Sequence, residues 1–156
     1  CDGPHEMQRQ GFHRQLHLAR QWHKPVILHT KGMEQEILQE LKTCPNDYVV
    51  HWYSCGRHME EYIALGCAFT FALSLESDEN EQRLAALVPL DRILVESDGL
   101  SAMEWVKGQT LEGHAYEAGL RHIEAMLAKI RGLSSAAMHE QICANYRRII
   151  LREGTA

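Results

Sequence analysis

Long hydrophobic runs are missing from this sequence. No stretch approaches the roughly 20 apolar residues of a transmembrane helix, and no secretory leader is expected at its start. Cys-x-x-Cys is missing too: the five cysteines (Cys1, Cys44, Cys55, Cys67 and Cys143) are odd in number and scattered. They read as free thiols of a reducing, cytoplasmic compartment. Positive charge is scarce. A formal charge of −5 argues against broad adhesion to nucleic acid or to an anionic membrane. It leaves open a nucleic acid whose phosphate is held by metal instead of by Lys and Arg. Neither Gly-x-Gly-x-x-Gly nor a P-loop comes after any apolar run, so dinucleotide and nucleoside-triphosphate readings have no support. Low-complexity segments and His-x-His are absent as well.

The 156 residues suffice for one ordinary core, and the chain is expected to be a single domain over 1–156. Apolar and charged residues alternate in a βα rhythm. A helix is expected from about Glu6 to Trp22, with Phe12, Leu16, Leu18 and Ala19 as its apolar stripe and Pro25 as its stop. Val26 to Leu28 reads as a strand covered on both faces. A helix from about Met33 to Leu41 turns Ile37, Leu38 and Leu41 inward, and Cys44 to Asp47 make a turn. Then come strand Tyr48–Val50, helix Met59–Leu65 closed by Gly66, and strand Cys67–Leu73. Asp78-x-x-Glu81 resembles a capping box for a helix reaching Val88, which Pro89 ends. The fourth strand is Ile93–Val95. Gly99 to about Glu112 is expected to be irregular, with a helix from roughly Tyr116 to Ile130 after it. Ser134 caps a last helix reaching Ile150 or Leu151.

Strands beginning near residues 26, 48, 67 and 93, with a helix between each pair, imply a parallel sheet with right-handed crossovers. Four strands and about six helices make either half of an eight-fold barrel or a small doubly wound sheet.

Three of the four strands stop on a possible metal ligand: Val26-Ile27-Leu28-His29, Tyr48-Val49-Val50-His51 and Ile93-Leu94-Val95-Glu96-Ser97-Asp98. The C-terminal ends of strands are where α/β barrels place their chemistry. A lone histidine at a strand end more often bonds a neighbouring loop. Two at equivalent places on adjacent strands converge, and imidazole suits Zn²⁺, Mn²⁺ and Fe²⁺. Asp98 reads as a carboxylate whose burial needs a cation or donors to offset it; the bland alternative is a helix cap before Gly99-Leu100. Glu96 and Asp98 alternate, so an extended chain points both the same way. A ligating aspartate can also accept a proton from attacking water. Most of the ten histidines fall elsewhere: His5, His13, His17, His23, His114 and His122 lie on helices or loops expected to face solvent.

The chain at this point resembles the TatD-like metal-dependent hydrolases, deoxyribonuclease relatives within the amidohydrolase superfamily. The resemblance is carried by Gln15 to Ala19, Lys24-Pro25-Val26-Ile27-Leu28-His29-Thr30-Lys31, Val49-Val50-His51-Trp52-Tyr53-Ser54, Arg92 to Gly99, and Asn145-Tyr146-Arg147-Arg148-Ile149. It implies the second half of a (β/α)₈ TIM barrel. It implies two divalent ions (Mg²⁺, Mn²⁺ or Zn²⁺), with His29 and His51 ligating one and Asp98 the other, and Asp98 as general base. Glu96 matches a supporting carboxylate beside the site. The implied reaction is cleavage of a phosphodiester, in DNA or a small molecule, by metal-activated water, since two adjacent metals clamp the attacking and leaving oxygens.

The family draws further ligands from a His-x-His on its first strand and a Glu on its fourth, and neither segment is present. Cys1-Asp2-Gly3 resembles the residues just after that Glu, so the chain is expected to start just past the fourth strand. Cys55 stands where glycine is usual, and Ser101 to His114 lack the family's Arg-rich, Asn-Pro loop. Open edges at Val26–Leu28 and Ile93–Val95 invite an N-terminal barrel half, or a second copy in a homodimer, to complete the sheet. Two other readings stay open: an amide- or ester-cleaving amidohydrolase, and an inactive homologue serving as an interaction module.

Overall fold

Short β-rich runs bounded by turn residues pair here into one parallel sheet, with a helix returning the chain between strands. The computed structural model describes residues 5–113 and 115–153. In chain order the elements are α1 (His5–Gln21), β1 (Val26–His29), α2 (Glu34–Thr43), β2 (Tyr48–His51), α3 (Met59–Ala64) and β3 (Ala68–Phe71). Next are a 3₁₀ turn (Leu73–Glu76), α4 (Glu79–Leu87), a second 3₁₀ turn (Leu90–Arg92) and β4 (Ile93–Val95). Three helices close the chain: α5 (Leu100–Lys107), α6 (Ala115–Arg131) and α7 (Ser135–Ile149).

The strand order is β1-β2-β3-β4, all parallel. A doubly wound sheet reverses its strand order at a switch point; this one does not. The sequential order is that of a barrel wall, which decides between the two architectures left open by the sequence.

Side chains alternate across the pleat, so the sheet has two unlike faces. Leu28, Val50, Phe69, Phe71 and Ile93 point to the helical layer and pack with Leu38, Leu41, Tyr62, Leu84, Ile123 and Leu127 in one buried cluster. Val49, Ala68 and Leu94 point the other way, where Ile149 and Ile150 at the end of α7 cover them. By the pairing Ile27↔Val49 and His29↔His51, Ile27 and both histidines also belong to this second face.

Two polar clamps hold the layers. Asn145, buried in α7, donates through Nδ2 to the carbonyls of Leu90 and Ile93, both at 2.8 Å, while Gln141 donates to its Oδ1. The Arg131 guanidinium at the end of α6 donates to the carbonyls of Ala85, Ala86 and Val88. It therefore places a cation on the unpaired carbonyls of the last turn of α4.

Several local expectations need correction. Ile27 is 65% exposed, so β1 is not covered on both faces. Leu18 is exposed, leaving the buried side of α1 to Leu16, with Phe12 partly covered. β3 ends at Phe71, and Leu73 already belongs to the 3₁₀ turn. The stretch after Gly99 is helical: Met103 is buried beneath α6, so close to Gly119 that a β-carbon there would lie 2.0 Å from the Met103 methyl. With α5 in place of an irregular stretch, the helices number seven among the described residues.

Candidate active site

All the strands point one way, so their C-terminal ends form a single rim. His29 and His51 are register partners on that rim. Their rings stand 5.8 Å apart, tilted by 34°. His29 is exposed and His51 half-buried. Glu96, two residues beyond Leu94 on the same face, brings Oε2 to 2.5 Å from His51 Nδ1. With the ring proton on Nδ1 donated to Glu96, Nε2 keeps its lone pair and faces the rim. Asp98 Oδ2 lies 3.8 Å from that Nε2, beyond hydrogen-bond length. The two acids thus lie near the two nitrogens of one imidazole, Glu96 bonded and Asp98 not.

Asp98 itself is not buried. Its side chain is 48% exposed, so the burial cost argued from the sequence does not apply to it. It sits past the end of β4 at φ +53°, and Gly99 is next at φ +87°. The Gly99 N–H is bonded to Ser97 Oγ. This reversal feeds directly into α5. Trp52, immediately after His51, also has a positive φ, +42°. A bulky residue in that region costs on the order of 1–3 kcal/mol, and such strain gathers at functional sites.

The turn after β2 is pinned from below. The Tyr53 hydroxyl donates to the Arg57 carbonyl and the ring packs on Tyr62 and Phe69, while the Tyr62 hydroxyl donates to the Glu34 carbonyl. Trp52 is held on its other side. Its backbone N–H donates to Thr70 Oγ1, and its indole Nε1–H lies between Ser74 Oγ at 2.6 Å and Glu81 Oε1 at 2.8 Å. The Ser74 hydroxyl spends its own proton on Glu81 Oε1.

Glu81 is the buried acid of this site, although the capping-box pattern placed it at a helix end. Asp78 does cap α4, accepting from the N–H groups of Asn80 and Glu81. The Glu81 carboxylate, however, turns inward to Trp52 and Ser74 and is 1% exposed. Burial pushes its pKa up to about 7, opposed by the Ser74 and Trp52 hydrogen bonds and assisted by the negative charges of Asp78 and Glu96. Its Oε2 and Oε1 of Glu96 are both buried without a hydrogen-bond partner. A signal was present: Glu81 continues the buried stripe Leu84, Ala85, Val88 at helical spacing.

Other candidates fall away. His5, His13, His17, His23 and His122 are exposed, as expected, and His114 and Cys1 to Gly3 lie outside the described residues. Cys44, Cys55, Cys67 and Cys143 are free thiols. Burial pushes Cys67 up to about 12, which keeps it an inert thiol. A groove of about 770 Å³ lies at the opposite end of the sheet, beside Gln21, His23, Pro45 and Asp47, away from the rim. No helix among the described residues is long and apolar enough to cross a membrane.

The family model described as TatD related DNase matches residues 1–151. The chain belongs to the TatD-related DNase family. It is 25% identical over 158 residues to a human protein, 3'-5' RNA nuclease TATDN2, covering 94% of this chain and 21% of that protein. It is 31% identical over 97 residues to YcfH of Escherichia coli, described as an uncharacterized metal-dependent hydrolase, covering 58% of this chain and 37% of that one. Among solved structures, a TatD family hydrolase from Entamoeba histolytica superposes with a TM-score of 0.74 at 15% identity, covering 95% of this chain and 58% of the other. An uncharacterized amidohydrolase from Saccharomyces cerevisiae gives 0.74 at 12%, covering 94% and 60%. The chain thus spans from about a fifth to under two-fifths of these curated relatives, and about three-fifths of the solved structures. The structural likeness shows the fold: four successive parallel βα units matching part of a TatD-type TIM barrel.

YcfH is described as metal-dependent, and the rim of this TatD-related chain fits a divalent ion in donor type. Two imidazoles and a carboxylate are borderline-to-hard ligands, and a carboxylate bonded to the far nitrogen of a histidine is the usual support for a metal-bound imidazole. They offer part of a coordination shell. Among the described residues, no three His, Cys, Asp or Glu side chains are gathered closely enough to hold an ion unaided.

Proposed function

We propose that this TatD-related chain contributes one wall of the active site of a divalent-metal-dependent hydrolase that cleaves phosphodiester bonds in nucleic acid. The observation that carries the reading is His51 bonded to Glu96 at Nδ1, with Asp98 near its Nε2 and His29 in register beside it. His29 and His51 are the ligands of one ion and Asp98 of a second. The ions supply positive charge that stabilises the phosphoryl oxygens as negative charge develops on them.

The chain's own residues do the rest. Glu96 takes the Nδ1 proton of His51 into a short hydrogen bond, which fixes the ring's tautomer and angle. Asp98, half exposed, reaches solvent and substrate together, so its carboxylate accepts the proton lost by attacking water. Single strands of DNA are the first expected substrate, and RNA is the second because the human relative's name is that of an RNA nuclease. Further barrel strands, from an N-terminal half or a second copy, cover the β1 and β4 edges and Ile27.

The test is an assay of the full-length polypeptide with Mg²⁺, Mn²⁺ or Zn²⁺ and with chelator. Single-stranded DNA, single-stranded RNA, and carboxylic ester and amide substrates are compared side by side. Metal-dependent release of nucleotides supports the reading. Ester or amide turnover without strand cleavage replaces it with the amidohydrolase alternative, metal-independent strand cleavage overturns it, and absent turnover without stoichiometric metal but with a stable protein complex replaces it with the interaction module.

A further inference from the structure

Two tryptophans stand together where the rim opens to solvent. Trp52 comes directly after His51, and its ring centroid lies 6.3 Å from that of His51 at 89°. Trp105, on α5, packs 6.2 Å from Trp52 at 70°. Both are edge-to-face contacts within the range of real aromatic pairs. The three rings form a row that leads from the candidate metal ligands outward. Its last member is 72% exposed. Isolated apolar side chains on a surface need no explanation, and Trp22, at the end of α1, is one such. Trp105 differs because it continues a row that begins at His51.

The row is rigid at its inner end. The Trp52 indole N–H donates to Ser74 and to the buried Glu81, so the ring cannot turn without taking that donor away from both acceptors. A fixed aromatic surface loses little entropy when it binds. At its outer end, the cation nearest in sequence to Trp105 is already engaged: the Lys107 ammonium bonds Glu76 Oε2 at 2.5 Å. Glu96 and Asp98 stand at the site, and the chain carries a net charge of −5. Exposed Lys31 and Arg57, in the loops after β1 and β2, offer phosphate contacts on the same rim. Stacking of bases on aromatic rings is a contact that adds to these without depending on charge.

We infer that Trp105, braced by Trp52, is a stacking surface for a nucleobase of the substrate next to the scissile phosphate. This rests on the phosphodiesterase reading above. It makes Trp105 a binding residue and Trp52 with Glu81 positioning residues. The recognised group is a flat, uncharged base, so binding is tolerant of sequence and intolerant of base loss.

The experiment compares a short single strand of thymidines with a strand of equal length carrying abasic tetrahydrofuran units. The full-length polypeptide is used with divalent metal, as wild type, Trp105→Ala, Trp105→Phe and, as a distant control, Trp22→Phe. The wild type should favour the thymidine strand in KM. Trp105→Ala should cut that preference about tenfold, with the loss in KM and not in kcat; Trp105→Phe should restore most of it. Fluorescence anisotropy of the same strands in chelator gives the preference without turnover. If Trp105→Ala leaves the thymidine-to-abasic ratio unchanged in both measurements, the inference is overturned. If neither strand is cleaved but the anisotropy preference depends on Trp105, the phosphodiesterase reading fails and the stacking site stands.

Discussion

In the proposed reading His51 is the residue through which the rim acts, and its value depends on Glu96. The 2.5 Å contact to Nδ1 holds the ring with Nε2 outward. Replacing Glu96 with Gln offers a second donor or a weaker acceptor at that place, so metal affinity or turnover should fall about 10–100-fold with the fold retained. His51→Ala should cost more than Glu96→Gln. Equal rates for all three proteins in a metal titration would remove His51 from the site. Glu81 makes a second claim at this scale, about pH. Its folded pKa of about 7 lies above the ordinary 4.5. Folding therefore favours the protonated acid. The contribution is full below about pH 4.5 and is lost as pH rises through 7. The loss is on the order of 3 kcal/mol. The measurement is denaturant unfolding between about pH 4.5 and 8 for wild type and Glu81→Gln. The variant keeps an acceptor for Trp52 and Ser74 but has no proton to lose, so the stability difference should grow in its favour with pH. Parallel curves would mean that Glu81 is not held protonated by burial.

Elements differ in how far they can be read from the chain. The four strands were legible because short apolar runs recur at similar intervals; the three that stop on a polar residue put those ends on one rim. The Asp78 cap was legible for the same reason, since a cap is a local hydrogen bond. Asp78→Ala should remove two bonds to the first turn of α4 and cost about 1 kcal/mol, read as a lowered unfolding midpoint. Because Glu81 hangs from that same turn, the cost should be accompanied by a change in Trp fluorescence from Trp52. An unchanged midpoint would show that α4 is fixed by its buried face and Arg131 alone. What local pattern could not supply was the tertiary use of Glu81. A capping box and an inward-facing acid share one spacing, and only the approach of Trp52 and Ser74 from other elements separates them. α5 escaped for a related reason. Gly99 and Gly108 bracket a short segment whose single fully buried anchor is Met103, too weak a stripe to announce a helix before α6 is in place. Asp98 was read as buried because it ends an apolar strand, but the positive φ at that residue swings the side chain outward.

At the scale of the whole molecule, the sheet is covered on one face and only partly on the other. Parallel sheets are stable when helices or other strands cover both faces. Here α7 covers Val49, Ala68 and Leu94, while Ile27 on the same face remains 65% exposed and Leu151 just beyond α7 is 51% exposed. β1 and β4 are the outer strands of the sheet, each paired on one side. Exposed backbone edges beside an apolar residue favour association with any strand that presents itself. In the proposed reading the same open wall explains why the rim offers only part of a metal shell: in a closed barrel the facing strands stand across from His29, His51 and Asp98. The chain 1–156 produced alone should therefore self-associate at micromolar concentration, and Ile27→Lys should shift it towards monomer in sedimentation velocity. Adding divalent metal to the chain alone should raise its unfolding temperature little, because a ligand stabilises only as far as its concentration exceeds its dissociation constant, and a partial shell binds weakly. A polypeptide that joins this chain to further barrel strands should show the opposite pair of results, monodisperse behaviour insensitive to Ile27→Lys and a clear rise in unfolding temperature with metal. A monomeric, cooperatively unfolding chain 1–156 that metal stabilises strongly would show that this half of the wall closes its own site.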